Sequence, residues 1–514
     1  MNHNIKKILL FLLAIAMLSG MCACGQKGSE INENLHIVRE DWADDVKQAV
    51  NDFADNYGIE SSNYSDSSYV VFDFDNTCSI FDVQEQAAIY QLQTMSFAFA
   101  PEKLPYILQS DIGDLNTDRT DAGYGKGSYQ DWIDDITKAY TALYENYGPF
   151  TAEGLSVEEQ EKVQKDPYWL EFATKMRAMY DLVFDCESAD VAYPWILYWY
   201  TGMTEDEVYN LAYNSHSKYK DMETSLVTWT SPKSIESRTG VVEYTWTSGT
   251  QVSENIKELM AILDANGIDV WICSASMTDV IRAAIDVWNL HECVTGMLAM
   301  TLCTDEDGKY TSEYDFSDGC GWLANEDDIW TRDVLASKAQ TQGIGKVYAI
   351  NNTLEEKYGC GPIAGFMDST GDFNFCTEYD TLRLVICFNR ATRKVTDGGG
   401  VIAELAIYER DTLGYDLMTA NSAGDTLYVL QGRDENGLRT FRNSNYTMCY
   451  GNDEEQLFKN EENEAQLQYM IENKMTVEEV INTFAIKTDK DAKGNELGFR
   501  YGFLDEYAGY HNRH

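Results

Sequence analysis

The chain has 514 residues and carries 85 acidic against 39 basic side chains, a formal charge of −46. Such a surface repels nucleic acid and anionic lipid headgroups, and it favours substrates that bear a cation as well as solubility outside the cell. Five histidines follow residue 23 and none forms H-x-x-x-H, which argues against a zinc hydrolase. The ten cysteines beyond residue 24 show no C-x-x-C or zinc spacing, and outside the cell some of them are expected to pair as disulfides. The length suits two or three domains.

Residues 1–23 place Lys6 and Lys7 before an apolar core, residues 8–18, and a run of small residues ending in Cys22-Ala23-Cys24. This is an export signal, with a core too short to cross a membrane as a helix. It resembles a bacterial lipoprotein leader, which implies cleavage and acylation at Cys24, because Ala23 precedes that cysteine whereas Met21 before Cys22 fits poorly. The resemblance implies an extracytoplasmic protein held to the membrane by its lipid. Residues 24–40 read as a polar tether and 41–57 as a helix leading into the first domain.

The next segment, Tyr69-Val70-Val71-Phe72-Asp73-Phe74-Asp75-Asn76-Thr77, is an apolar run ending in two carboxylates spaced i, i+2. The run predicts a buried strand of a parallel sheet, and the spacing sends both acids off its carboxyl end together. Open α/β sheets bind their ligands at that end. An acid pair there can hold a hard cation through oxygen, and one member can attack an electrophile.

Nearly two hundred residues separate this strand from the next of its kind, far more than a crossover needs. A domain is therefore inserted, with helical patterns over 84–94, 129–146, 157–179 and 205–219 and a strand over 241–247. Residues 268–276 then form a second strand, ending at Ser274 and Ser276 before a helical stretch. A hydroxyl there suits an anion beside the first N–H groups of a helix, or equally a plain helix cap. Lys346 opens an amphipathic helix to about residue 358. Residues 362–372 run a third apolar strand into Asp368 and Asp372 across a Ser-Thr-Gly turn. Further on come a Gly-rich turn at 398–400, a helical stretch, and a hairpin candidate joining 427–430 to 438–441 around 434–437.

In this order the four motifs resemble the haloacid dehalogenase (HAD) superfamily of phosphohydrolases, closest to its phosphoserine-phosphatase-like branch. The likeness covers roughly residues 67–90 and 255–392. It implies an α/β, Rossmann-like doubly wound parallel sheet built from 41–90 and 255–400. A large, mostly helical cap, 91–254, is inserted after the first core strand, and 401–514 form an extension of unassigned role. It implies that Asp73 is the nucleophile, forming an aspartyl-phosphate, and that Asp75 is the general acid and base. Thr77, Ser274 and Lys346 would bind the phosphoryl group. Mg²⁺ would be held by Asp73, the Asp75 backbone carbonyl and Asp368, with Asp372 in support. An acid two residues after the nucleophile suits a phosphatase, whereas the dehalogenases of the superfamily lack it.

Asp-Asn-Thr followed by Phe81-Asp82-Val83-Gln84-Glu85, and the segment Tyr193-Pro194-Trp195, further resemble extracytoplasmic bacterial phosphorylcholine phosphatases. That resemblance implies a small phosphoester with a cationic head group, caged by Phe81, Asp82, Glu85, Trp195, Tyr198 and Trp199. Aromatic residues at such positions are more often cap core than cage. The alternatives are a broad-specificity, phosphoserine or phosphoethanolamine phosphatase of the same fold, or a non-catalytic lipoprotein that binds phosphorylated ligands.

Overall fold

The computed structural model describes residues 35–187, 189–314, 319–323, 331–335, 340–391, 395 and 397–484. The leader, Cys24 and most of the tether lie outside the described residues.

Eight strands form the central sheet: β1 (Tyr69–Phe72), β2 (Asp269–Met277), β3 (Gly296–Met300), β4 (Gly319–Leu323), β5 (Thr331–Leu335), β6 (Ala364–Met367), β7 (Leu384–Phe388) and β8 (Leu427–Gln431). Their order is β5-β4-β3-β2-β1-β6-β7-β8. The six from β3 to β8 through the centre are parallel, while β4 and β5 add antiparallel pairs at one edge. The architecture is thus the expected α/β, Rossmann-like one.

Strand β1 lies at the middle, with Val71 opposite Trp271 on one side and Gly365 on the other. All four of its residues are fully buried, which is why the run is apolar throughout rather than alternating. Val70 and Phe72 enter the larger core, shared with the cap, and Phe72 stacks on Phe366 of β6. Tyr69 and Val71 enter a second core, closed by the helices Ile344–Ile350 and Gly398–Tyr408.

Most expected elements form, with four informative differences. The helical stretch over 157–179 is two helices, Val157–Val163 and Pro167–Cys186. Asp166 caps the second by accepting from Tyr168 N, and Pro167 occupies its first turn, where a missing N–H costs nothing. The glycines at 398–400 are not a turn but the first turn of a helix. A Cβ on Gly399 would sit 2.2 Å from the Asp368 carbonyl oxygen, so glycine is what lets this helix abut the end of β6.

The expected hairpin does not form from residues 427–430. Those residues belong to β8, paired parallel with β7, and the small hairpin is Arg433–Asp434 with Thr440–Phe441. Four consecutive buried apolar residues, Leu427 to Leu430, suit a covered parallel strand better than a surface hairpin. Consequently the sheet extends past residue 400, and the expected boundary there falls inside the helix Gly398–Tyr408. The boundary at 90 likewise falls inside the helix Val83–Thr94.

The inserted residues form helices and a two-stranded ribbon, Ser225–Thr230 with Glu243–Ser248. The chain enters and leaves this cap through a second short pairing, Ser79–Ile80 with Gln251–Val252. Cap helix Glu205–Tyr219 lies along core helix Thr278–Val287. Among the described residues no helix is long and apolar enough to cross a membrane. Nine cysteines among the described residues are free thiols, so no disulfide forms among them.

At that cap–core contact His216 is fully buried, its Nε2 bonded to the Val280 carbonyl at 3.1 Å and its ring against Trp288. Burial brings its pKa down to about 4. A folded pKa below the unfolded value contributes stability that is complete above about pH 6.5 and lost as pH falls toward 4. The melting temperature should therefore decline across that window, by the equivalent of roughly 3 kcal/mol at most. His216→Gln keeps a donor without the titration and should flatten the decline, whereas equal pH profiles for the two proteins would assign the acid loss elsewhere.

Candidate active site

The loop after β1 is held at both ends. Asp73 N donates to the Phe366 carbonyl at 3.0 Å, continuing the β1–β6 pairing, and Ser79 N returns to the Phe74 carbonyl at 2.9 Å. Asn76 between them is left-handed, with φ of 64°. This tight turn projects Asp73 and Asp75 from the carboxyl edge of the sheet. Asp368 leaves the end of neighbouring β6, and Asp372 follows in a short 3-10 turn.

Lys346, third in the helix Ile344–Ile350 and 1% exposed, ties these strand ends together. Its Nζ donates to Asp73 Oδ1 at 2.6 Å and to Asp372 Oδ1 at 2.7 Å. Burial opposes its charge, but Asp372 and Asp73 more than compensate and push its pKa up. Asp372 Oδ2 accepts from the backbone of Asp368 and Ser369 at 3.3 and 3.4 Å, so it fixes the turn as well as the lysine. Asp368 accepts from Thr77 Oγ1 at 3.4 Å and from Arg390 Nη1 at 2.8 Å.

One carboxylate oxygen from each of Asp73, Asp368 and Asp372 lies within 4.8 Å of the others, and all three residues are buried. Three carboxylates against the two cations Lys346 and Arg390 leave negative charge in excess, and their hard oxygen donors suit a divalent cation of the Mg²⁺ type. The Asp75 carboxylate is not in this cluster. Its Oδ1 accepts from Val83 N at 2.7 Å, and its Oδ2 from Ser276 Oγ at 2.5 Å and Ser274 Oγ at 3.5 Å. Burial, and then the adjacent Asp73, push the pKa of Asp75 up to about 7.

These groups open into a cavity of about 520 Å³ between core and cap. Of the expected cage, Phe81, Asp82 and Glu85 line it. Trp195, Tyr198 and Trp199 do not: they are fully buried in the cap, where Trp195 Nε1 bonds the Leu108 carbonyl at 2.9 Å and Tyr198 bonds Asp111. The helix Ala189–Leu197 and the 3-10 turn Tyr198–Tyr200 that follows it turn all three into the cap core. The aromatic wall includes Phe81, Tyr180, Tyr193, Tyr244 and Trp246, from elements distant in sequence. Ser274 is also withdrawn from the cavity: it is fully buried and its Oγ accepts from Ser276 N at 3.1 Å, while Ser276 lines the wall. The sequence offered both serines in one motif, and the strand end settles which one faces inward.

Two further residues carry no local sequence signal. Arg390, just after β7, lines the cavity beside Asp368. Arg433, buried and paired with Glu435 at 2.7 Å, donates to the Asn76 carbonyl at 2.9 Å across 357 residues of chain. The region beyond residue 401 thus supports the loop that carries both catalytic candidates.

No family model and no curated protein matches this chain in sequence. Among solved structures it is similar to a conserved, functionally unknown protein from Anaerococcus prevotii DSM 20548, at 26% identity and a TM-score of 0.63. That match covers 82% of this chain and 100% of the other, so the likeness takes in cap as well as core. A protein of unknown function from Bordetella pertussis Tohama I (12% identity, 62% of this chain and 89% of that one, TM-score 0.29) also aligns. So does cytosolic 5'-nucleotidase IIIB bound to cytidine (13%, 71% and 85%, TM-score 0.25). Neither superposes well enough to bear on the site.

Arg433→Met should leave Glu435 as a buried, unpaired charge and lower the unfolding free energy by about 3–5 kcal/mol. The double variant Arg433→Met/Glu435→Met should recover much of that loss in a denaturant titration. Additive losses would show that the two side chains act independently.

Proposed function

We propose that the protein is a Mg²⁺-dependent phosphomonoesterase of the HAD type, working through an aspartyl-phosphate on Asp73. The observation that carries this reading is the buried Lys346 bridge between Asp73 and Asp372, with Asp75 beside it at a pKa of about 7. Phosphoryl transfer asks mainly for positioning and charge neutralisation, and this arrangement supplies both.

Burial favours a protonated Asp73 and Lys346 opposes this. A divalent cation held by Asp73, Asp368 and Asp372 would add positive charge for the ionised nucleophile and the phosphoryl oxygens. An Asp73 oxygen attacks phosphorus as the bond to the ester oxygen breaks. The Asp75 carboxyl gives its proton to the departing alkoxide, a task suited to a group that titrates near neutrality. The resulting Asp75 carboxylate then takes a proton from water. That water attacks phosphorus and breaks the bond to Asp73, releasing inorganic phosphate and restoring both acids. Ser276 holds Asp75 in place throughout.

The substrate we favour is a small phosphoester with a cationic leaving group, phosphocholine being the type. The cavity wall combines Phe81, Tyr193 and Trp246 with Asp82 and Asp185, beside the Tyr180, Tyr244, Glu85 and Asp181 that Arg177 engages. Aromatic faces and carboxylates together suit a quaternary ammonium. Burial, then Asp75 and Glu85, push the pKa of Asp82 up, so a cation in the cavity would relieve repulsion already present. The export and lipid attachment read from the leader and Cys24 complete the proposal as an extracytoplasmic, membrane-anchored enzyme.

The soluble body, residues 25–514, should release phosphate from phosphocholine faster than from phosphoethanolamine or phosphoserine, and EDTA should abolish the release until Mg²⁺ is restored. Asp73→Asn should remove the activity and Asp75→Asn should lower it by about 10²–10⁴-fold. Equal turnover of the three esters would discard the cationic preference, and no turnover of any would leave a binding protein. Labelled palmitate should enter the full-length protein but not Cys24→Ser in a bacterial host; labelling of both would exclude Cys24 as the anchor.

A further inference from the structure

Three cationic side chains line the cavity among the described residues: Arg177, Lys346 and Arg390. Arg177 is 2% exposed, bonded to Glu85 and, at 2.6 Å, to Asp181, and stacked between the rings of Tyr180 and Tyr244. Its charge is already answered by the cap. Lys346 is as deeply buried, with two of its three donors committed to Asp73 and Asp372. Arg390 differs. Its side chain is 44% exposed, at the cavity, and among the described residues only its Nη1 is engaged, with Asp368 at 2.8 Å.

We propose that Arg390 is a phosphoryl-binding residue, the cation that meets the non-bridging oxygens of the substrate from the cavity side. This rests on the phosphomonoesterase reading and adds a residue that none of the four sequence motifs contains. The chemistry fits in three respects. A planar guanidinium presents parallel N–H donors that match two phosphoryl oxygens, which an ammonium cannot do. Its backbone leaves the end of β7, next to the strand end that carries Asp368, so its position is set by the sheet rather than by a loop tip. Its bond to Asp368 places the remaining donors beside the carboxylate cluster where the phosphoryl group must come. The phosphoryl site then has a buried lysine that orders the nucleophile and an accessible arginine that receives the dianion. The cap aromatics and acids take the opposite end of the substrate.

The test separates binding of phosphate from binding of metal. Titration calorimetry would measure the affinity of the Mg²⁺-saturated soluble body for inorganic phosphate, and separately its affinity for Mg²⁺ alone. The proteins would be wild type, Arg390→Met and Arg390→Lys. Loss of a bidentate, charge-assisted contact should weaken phosphate about 10- to 100-fold in Arg390→Met. Arg390→Lys should fall in between, because it keeps the charge without the fork, and Mg²⁺ affinity should change by less than about threefold in either variant. Unchanged phosphate affinity in Arg390→Met would overturn the proposal while leaving the phosphatase intact. So would a loss of Mg²⁺ affinity with phosphate binding preserved at saturating metal, since Arg390 would then only hold Asp368. If wild type neither binds phosphate nor hydrolyses any ester, the phosphomonoesterase reading fails and this assignment fails with it.

Discussion

Three carboxylates, Asp73, Asp368 and Asp372, meet within 4.8 Å in a buried site, and the ammonium of Lys346 is what lets two of them stay there. Removing four ionisable groups from water is costly unless each is paired and hydrogen-bonded. The rest of the molecule is arranged around meeting that condition. The parallel sheet delivers two strand ends side by side, β1 with Asp73 and β6 with Asp368. The 3-10 turn after β6 brings Asp372 round beneath them, and a helix from the opposite face inserts the lysine. Arg390 and Thr77 take up Asp368, while Val83 N and Ser276 take up Asp75. Charge remains in excess on the negative side, and this residue of unbalanced charge makes the site suited to a metal cation and a phosphoryl group together.

The cap and the C-terminal region solve a second problem, that of holding a loop with a left-handed residue in it. Asn76 is tied through its carbonyl to Arg433, whose own charge is answered by Glu435. From the same stretch of chain, Arg439 donates to the Met222 carbonyl at 2.6 Å and to Thr224 Oγ1 at 3.0 Å, close to where the chain returns from the cap. One short segment beyond the last core strand thus touches both the loop that carries Asp73 and Asp75 and the cap junction. A region without a recognisable motif turns out to set the geometry on which the motifs depend.

The cavity divides its labour by chemistry. Its floor is oxygen-rich and cation-seeking, and its far wall is aromatic and acidic. On a chain of formal charge −46 the acidic surface would disfavour highly charged anions and tolerate zwitterions. A phosphoester whose other end is cationic satisfies both halves of the cavity, which is the physical basis for the substrate proposed.

The local pattern of the chain determined the strand ends. Apolar runs closing on Asp73 and Asp75, on Ser274 and Ser276, and on Asp368 with Asp372 were legible because a strand buried on both faces must be apolar until it reaches the sheet edge, where polar groups begin. The insertion after β1 was legible from the length of chain between strands. What the sequence left open depends on contacts between distant segments. Trp195, Tyr198 and Trp199 look like cage residues in sequence, yet helix phase and packing turn them into the cap core. Tyr180, Tyr244 and Trp246, from other elements, form the wall instead. Residues 427–430 read as half of a hairpin, since a short apolar run is equally a hairpin arm or a parallel strand until its neighbour is known. The choice of Ser276 over Ser274, and the roles of Arg390 and Arg433, were decided only by the fold. Each depends on which group the folded sheet brings opposite it, and hydrogen bonds across hundreds of residues leave no trace in local composition.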